Sequence, residues 1–180
     1  MLALAYTIRY PERVNNLILL SCGPIDVPTE KASMNNSWWN TYTCERDSIK
    51  FWGTAEQKEK DPAKAGLMQM VFSLLNRFYD HQLGRKIFPG WLGGMDMNNK
   101  MAGLMIKDIY KNYDFVNGLE AYKGKCSIIR GRQDVMPEEV VFKIKEALPQ
   151  AKIYFIEKCG HMVDLEKPKE LFTLLKVVLK

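Results

Sequence analysis

Two short segments hold the residue types that a hydrolytic relay needs: Gly131-Arg132-Gln133-Asp134-Val135-Met136-Pro137 and Cys159-Gly160-His161-Met162-Val163-Asp164. Each follows an apolar run of the kind that forms a buried strand, so Asp134 and His161 fall in loops just past strand ends. In open α/β sheets functional groups gather in such loops. Neighbouring parallel strands bring their loops together, and a carboxylate on one can hold an imidazole on the other. The aspartate would fix the histidine tautomer and stabilise the imidazolium, while the histidine takes and returns a nucleophile's proton. Histidine suits that role because its pKa lies near neutrality.

Other residues compete for these roles. The alternative for Asp134 is a turn or a helix cap, which aspartate favours, but the acid role is the preferred one. Asp164, three residues beyond His161, is expected to bond local backbone. His81, in the polar stretch Asp80-His81-Gln82, is expected on the surface of a helical segment. Ser21 follows a strand but lacks the turn that presents a nucleophile, and is rejected for that role. Cys159 is close to His161 on one loop, where side chains so near in sequence rarely point at each other, so a Cys–His nucleophile is rejected too.

The elements that must position the pair are legible as alternating helices and strands. Residues 1–10 read as a helix with Leu2, Ala5 and Ile8 as its packing stripe and Pro11 as its stop. Leu17-Ile18-Leu19-Leu20-Ser21-Cys22 reads as a strand buried on both faces. The next strand candidate is Ser127–Arg130, so a long gap intervenes, and a gap of that length should hold structure of its own. Helical spacing recurs there at Leu67, Met70, Val71, Leu74, Leu75 and Phe78, and again at Met101, Leu104, Met105 and Ile109. Gly90 to Asn99 is expected as a flexible loop. All four tryptophans, Trp38, Trp39, Trp52 and Trp91, lie in this insertion. Trp38, Trp39 and Trp91 are candidates to line an apolar substrate pocket, although packing within the insertion is the simpler role for each. Beyond it, a helix over 138–148, a strand over 152–156, a loop over 157–167 and a helix from Pro168 to Leu179 complete the chain. The last is expected to bury Leu171, Phe172, Leu174, Leu175, Val178 and Leu179.

Composition narrows the class. With 180 residues, 47% hydrophobic and 26% charged, the chain reads as one globular domain. No apolar run reaches the roughly 20 residues of a membrane helix. The N-terminal stretch carries its positive charge after the apolar part, the wrong order for a signal peptide, so a cytoplasmic setting is expected. The net charge of +5 is spread along the chain without a basic cluster, which argues against nucleic acid. Four widely spaced cysteines and two histidines argue against a zinc site, and no metal or cofactor is expected.

The closing segment resembles the final third of α/β-hydrolases. That family reads roughly G-x-x-D, then G-H, then E-x-P before the last helix. Gly131 to Asp134, Gly160-His161 and Glu166-Lys167-Pro168 follow that order. Leu4-Ala5-Tyr6, Tyr10-Pro11-Glu12-Arg13-Val14 and Leu17-Ile18-Leu19 resemble the helix and strand that follow the family's nucleophile elbow, G-x-S-x-G-G. The wording is nearest to prolyl iminopeptidase-like enzymes.

The resemblance implies an α/β fold made of the C-terminal part of an α/β-hydrolase sheet, three parallel strands with flanking helices, plus a helical cap. Residues 1–26 would be core, 27–117 cap, and 118–180 the core that carries Asp134 and His161. It implies hydrolysis of a small ester, amide or N-terminal peptide bond of a small molecule or short peptide. The nucleophile serine and the oxyanion hole would lie before Met1, so the chain alone is expected to be inactive. The alternatives are a non-catalytic binding or scaffold relative, and one piece of a two-chain enzyme that self-associates or meets a complementing N-terminal fragment.

Overall fold

The computed structural model describes residues 2–93, 101, 103, 104, 107 and 114–180. Three apolar segments, β1 (Asn16–Leu20), β2 (Lys125–Gly131) and β3 (Lys152–Ile156), pair in parallel in the order β1-β2-β3. The register sets Leu17 beside Cys126 and Ile129 beside Tyr154. In the central strand β2 every residue after Lys125 is buried, as a strand covered on both faces requires. β1 differs from expectation: Leu17 and Leu19 are buried, while Ile18 is only half-buried and Leu20 exposed. Among the described strands it stands at the edge of the sheet.

Helix α1 (Leu2–Arg9) precedes β1, and Pro11 opens a short 3-10 turn between them. Its packing face is not the expected one. Leu4 and Thr7 turn inward, and Leu2 is 82% exposed. Thr7 tolerates burial because its hydroxyl donates to the carbonyl of Ala3 at 2.8 Å.

The chain leaves the sheet at Asp26, whose carboxylate caps the helix α2 (Val27–Trp39) by accepting from the Thr29 amide at 2.9 Å. α3 (Thr43–Trp52), α4 (Ala55–Lys60), α5 (Pro62–Leu74) and α6 (His81–Gly93) follow. Val71, Leu75, Phe78, Phe88 and Leu92 form a core within this helical segment. Gly90 to Gly93, expected in a loop, are the last turn of α6, because Phe88 and Leu92 are both buried and anchor it. The rest of that expected loop lies outside the described residues, as do Met105 and Ile109. The chain returns at Asp114, which bridges antiparallel to Asp26, and the Phe115 amide donates to the Ile25 carbonyl at 2.9 Å.

α7 (Glu138–Ala147) crosses between β2 and β3, and α8 (Val163–Glu166) and α9 (Pro168–Val178) end the chain. Leu4, Leu17, Leu19, Ile128, Val140 and Ile144 share one cluster on the sheet, and Ile129, Ile156, Val163, Leu171 and Val178 share another. α9 buries a narrower stripe than expected, since Phe172 and Leu179 are exposed. No helix among the described residues is long and apolar enough to cross a membrane.

Candidate active site

Asp134 and His161 stand in adjacent loops past β2 and β3, and the structure brings them together. His161 Nδ1 lies 3.0 and 3.2 Å from the two Asp134 carboxylate oxygens. A carboxylate accepts, so the ring proton sits on Nδ1. Nε2 is then the nitrogen with a lone pair to offer, and it has no partner among the described residues. The Asp134 side chain is 1% exposed and that of His161 16%, so the acid is sealed and the imidazole reaches the surface of a cavity.

Several groups hold this pair that the sequence did not single out. Asp134 also accepts from the Met136 amide at 2.9 Å, which fixes its rotamer. Arg130, buried within β2, donates to the carbonyls of Met136 at 2.8 Å and Asp134 at 3.3 Å. It ties the acid loop into one shape. A charged residue inside an otherwise apolar strand was the available signal. On the other loop, the Cys159 amide donates to Gln133 Oε1 at 3.1 Å, and the Gln133 amide to the Cys159 carbonyl at 3.0 Å. The two loops touch main chain to main chain. A Cβ on Gly131 would overlap the carbonyls of Cys159 and Gly160, so only glycine permits the approach.

The helical segment supplies the third support. The His161 amide donates to the Arg77 carbonyl at 2.7 Å. The Glu166 carboxylate accepts from the amides of Gly160 at 2.8 Å, Tyr79 at 3.0 Å and Asp80 at 3.3 Å. Glu166 thus binds the histidine loop to the turn between α5 and α6. Burial raises its pKa above 4.5 even though these donors favour the charged form. In sequence it was visible only as the first letter of E-x-P.

The cavity that His161 lines has a volume of about 450 Å³, with Gly23, Ser33, Trp38, Asn76, Arg77 and Met136 among its walls. Trp38 faces it. Trp39 is 73% exposed and does not line it, and Trp91 stacks on Phe88 within the helical segment at 5.5 Å. Ser21 adopts a positive φ of 45° but lines a separate cavity between α1 and β1. Asp164 is exposed in the first turn of α8. Burial pushes the Cys159 thiol up to about 12, so it stays protonated and is no thiolate nucleophile.

His81 corrects an expectation. It is not a surface residue: Nδ1 lies 2.7 Å from the wholly buried Glu45 carboxylate, and its ring stacks on Tyr42 at 4.2 Å. A buried carboxylate must find a partner, and that partner comes from a helix distant in sequence. Among the described residues, no cluster of three or more His, Cys, Asp or Glu side chains could hold a metal ion.

No family model matches the sequence. A cis-3-alkyl-4-alkyloxetan-2-one decarboxylase of Shewanella oneidensis is 22% identical over 187 residues, covering 98% of this chain and 55% of the relative. Among solved structures, an α/β fold family hydrolase of Bacillus anthracis superposes with a TM-score of 0.67 at 20% identity, covering 98% of this chain and 63% of that one. A serine hydrolase of Cycloclasticus zankles gives 0.62 at 19%, covering 98% and 59%. An esterase of Exiguobacterium antarcticum gives 0.60 at 18%, covering 99% and 63%. At these identities the fold is what is shared, and it is the α/β-hydrolase fold. The chain spans about half the length of the curated relative it matches.

Proposed function

We propose that this chain carries the acid and the general base of a nucleophilic acyl hydrolase. The observation that supports it most is the sealed Asp134 carboxylate on His161 Nδ1, with the imidazole lining a cavity large enough for a small substrate. In the reaction, Nε2 of His161 takes the proton of an attacking hydroxyl and hands it to the leaving group. Asp134 steadies the imidazolium meanwhile. A water then attacks the acyl intermediate with His161 again as base, and the acid product leaves.

The sequence contains no G-x-S-x-G, so the serine is proposed to come from a segment outside these residues, in the same polypeptide or in a partner chain. The substrate class is a small ester, an amide or an N-terminal peptide bond as in prolyl iminopeptidase-like enzymes. The oxetan-2-one in the name of the Shewanella relative is a cyclic ester, which supports the ester end of that range. The four cysteines are unpaired, which supports a reducing compartment such as the cytoplasm.

The isolated 180-residue chain is expected to hydrolyse p-nitrophenyl acetate at the background rate. A form that includes the nucleophile is expected to turn it over and to lose activity by about a thousandfold or more in His161→Ala. Robust hydrolysis by the isolated chain, abolished by His161→Ala, would overturn the external nucleophile. An active longer form indifferent to His161→Ala would overturn the relay itself.

A further inference from the structure

The cavity holds two guanidinium groups, and they differ in what they are doing. Arg46 is occupied: it donates to the carbonyls of Thr41 at 2.6 Å and Trp38 at 3.1 Å, and its guanidinium lies 5.2 Å over the Trp38 ring. Arg77 is half-buried on the same cavity wall, yet its side chain makes no hydrogen bond or ion pair with any described residue. Burial already pulls its pKa below 12.5, and the charge of Asp134 offsets that only in part. Asp134 is itself committed to His161 and the Met136 amide. Glu30, the cavity's carboxylate, is engaged as well.

Partial burial strips a cation of some of its water and leaves it a stronger binder of anions than a fully exposed one. Its position gives that capacity a use. The Arg77 carbonyl accepts from the His161 amide at 2.7 Å, so the two residues are neighbours and both line one cavity. A ligand seated against His161 is therefore close to a forked donor with nothing to hold. A planar carboxylate is the group that such a fork fits, through two parallel hydrogen bonds.

We propose that the cavity takes acyl compounds that carry a carboxylate, with Arg77 binding the carboxylate while His161 serves the acyl group. The second half rests on the hydrolase reading above, but the anion preference does not. It is read by binding, without turnover.

The test compares 4-phenylbutanoate with its neutral counterpart 4-phenylbutanamide, by calorimetry and by intrinsic tryptophan fluorescence, to which Trp38 in the wall contributes. The acid is expected to bind at least about tenfold more tightly, as a charge-assisted pair provides. Arg77→Met is expected to reduce the acid to the level of the amide. Arg77→Lys should keep part of the preference. Equal affinity for acid and amide, no binding of either up to about 10 mM, or a preference that survives Arg77→Met would each overturn the proposal. Should Arg77→Met fail to fold, the wild-type comparison and Arg77→Lys still decide. Failure of the hydrolase reading would show differently, as a lost or His161-independent activity with the carboxylate preference intact.

Discussion

Asp134 does its work through one ring nitrogen. With its carboxylate on Nδ1, His161 can present only Nε2 to a substrate, and the opposite tautomer is excluded. Asp134→Asn leaves the shape of the loop but can donate to Nδ1, which moves the ring proton to Nε2 and removes the base. In a form of the protein that turns over, kcat is expected to fall by about 10³–10⁴-fold while the melting temperature stays near wild type. A loss of stability as large as the loss of rate would instead make Asp134 a loop brace. The pair itself was legible because both residues follow apolar strand runs and sit in glycine-containing loops. The roles of the residues that support it were not. Arg130, Arg77 and Glu166 act through backbone carbonyls and amides of other segments, and hydrogen bonds to main chain leave no mark on the partner's residue type.

At the scale of elements, alternating strands and helices were readable wherever burial was two-sided, as in β2. The one-sided strand over 152–156 and the amphipathic helices from 138 and 168 were read as well, and what was misread was which face of α1 turns inward. In α1, Leu2, Ala5 and Ile8 have the right spacing, but the neighbours that decide which stripe faces inward are distant in sequence, and Leu4 and Thr7 won. His81 was misplaced for the same reason, since Glu45 lies on another helix. One junction between elements carries a pH signature. Asp26 caps α2 and pairs with Lys143 of α7, joining the helical segment to the sheet domain. Burial pushes the Asp26 pKa up, but the hydrogen bonds from Lys143 and Thr29 outweigh it, and the net value falls below 3.8. A carboxyl with a lowered folded pKa adds stability above its unfolded value and loses it as pH falls through the folded one. Lys143→Met is therefore expected to cost about 0.5–1 kcal/mol in urea unfolding at neutral pH. The gap to wild type should shrink once the pH falls well below 3.8. A gap that stays constant with pH would assign the loss to packing.

Considered as a whole, the molecule keeps apolar surface beside a strand edge that no described strand covers. Leu20 is exposed at the end of β1, Leu2 and Tyr6 stand out on α1, and no described strand pairs with the outer edge of β1. Such an edge templates further pairing. The isolated chain is expected to sediment as a species larger than a monomer at tens of micromolar, and Leu20→Lys to shift it toward monomer. A wild-type monomer at those concentrations would show the edge to be harmless. The helical segment and the sheet domain also meet at the histidine loop, and the manner of that meeting has a genetic consequence. What the turn between α5 and α6 offers is a carbonyl at position 77 and amides at 79 and 80. Every residue but proline has those groups. As far as this contact is concerned, the turn can drift in sequence at little cost, but an insertion or deletion of one codon would move all three groups out of register at once. Variation there should therefore be permissive in spelling and intolerant in length.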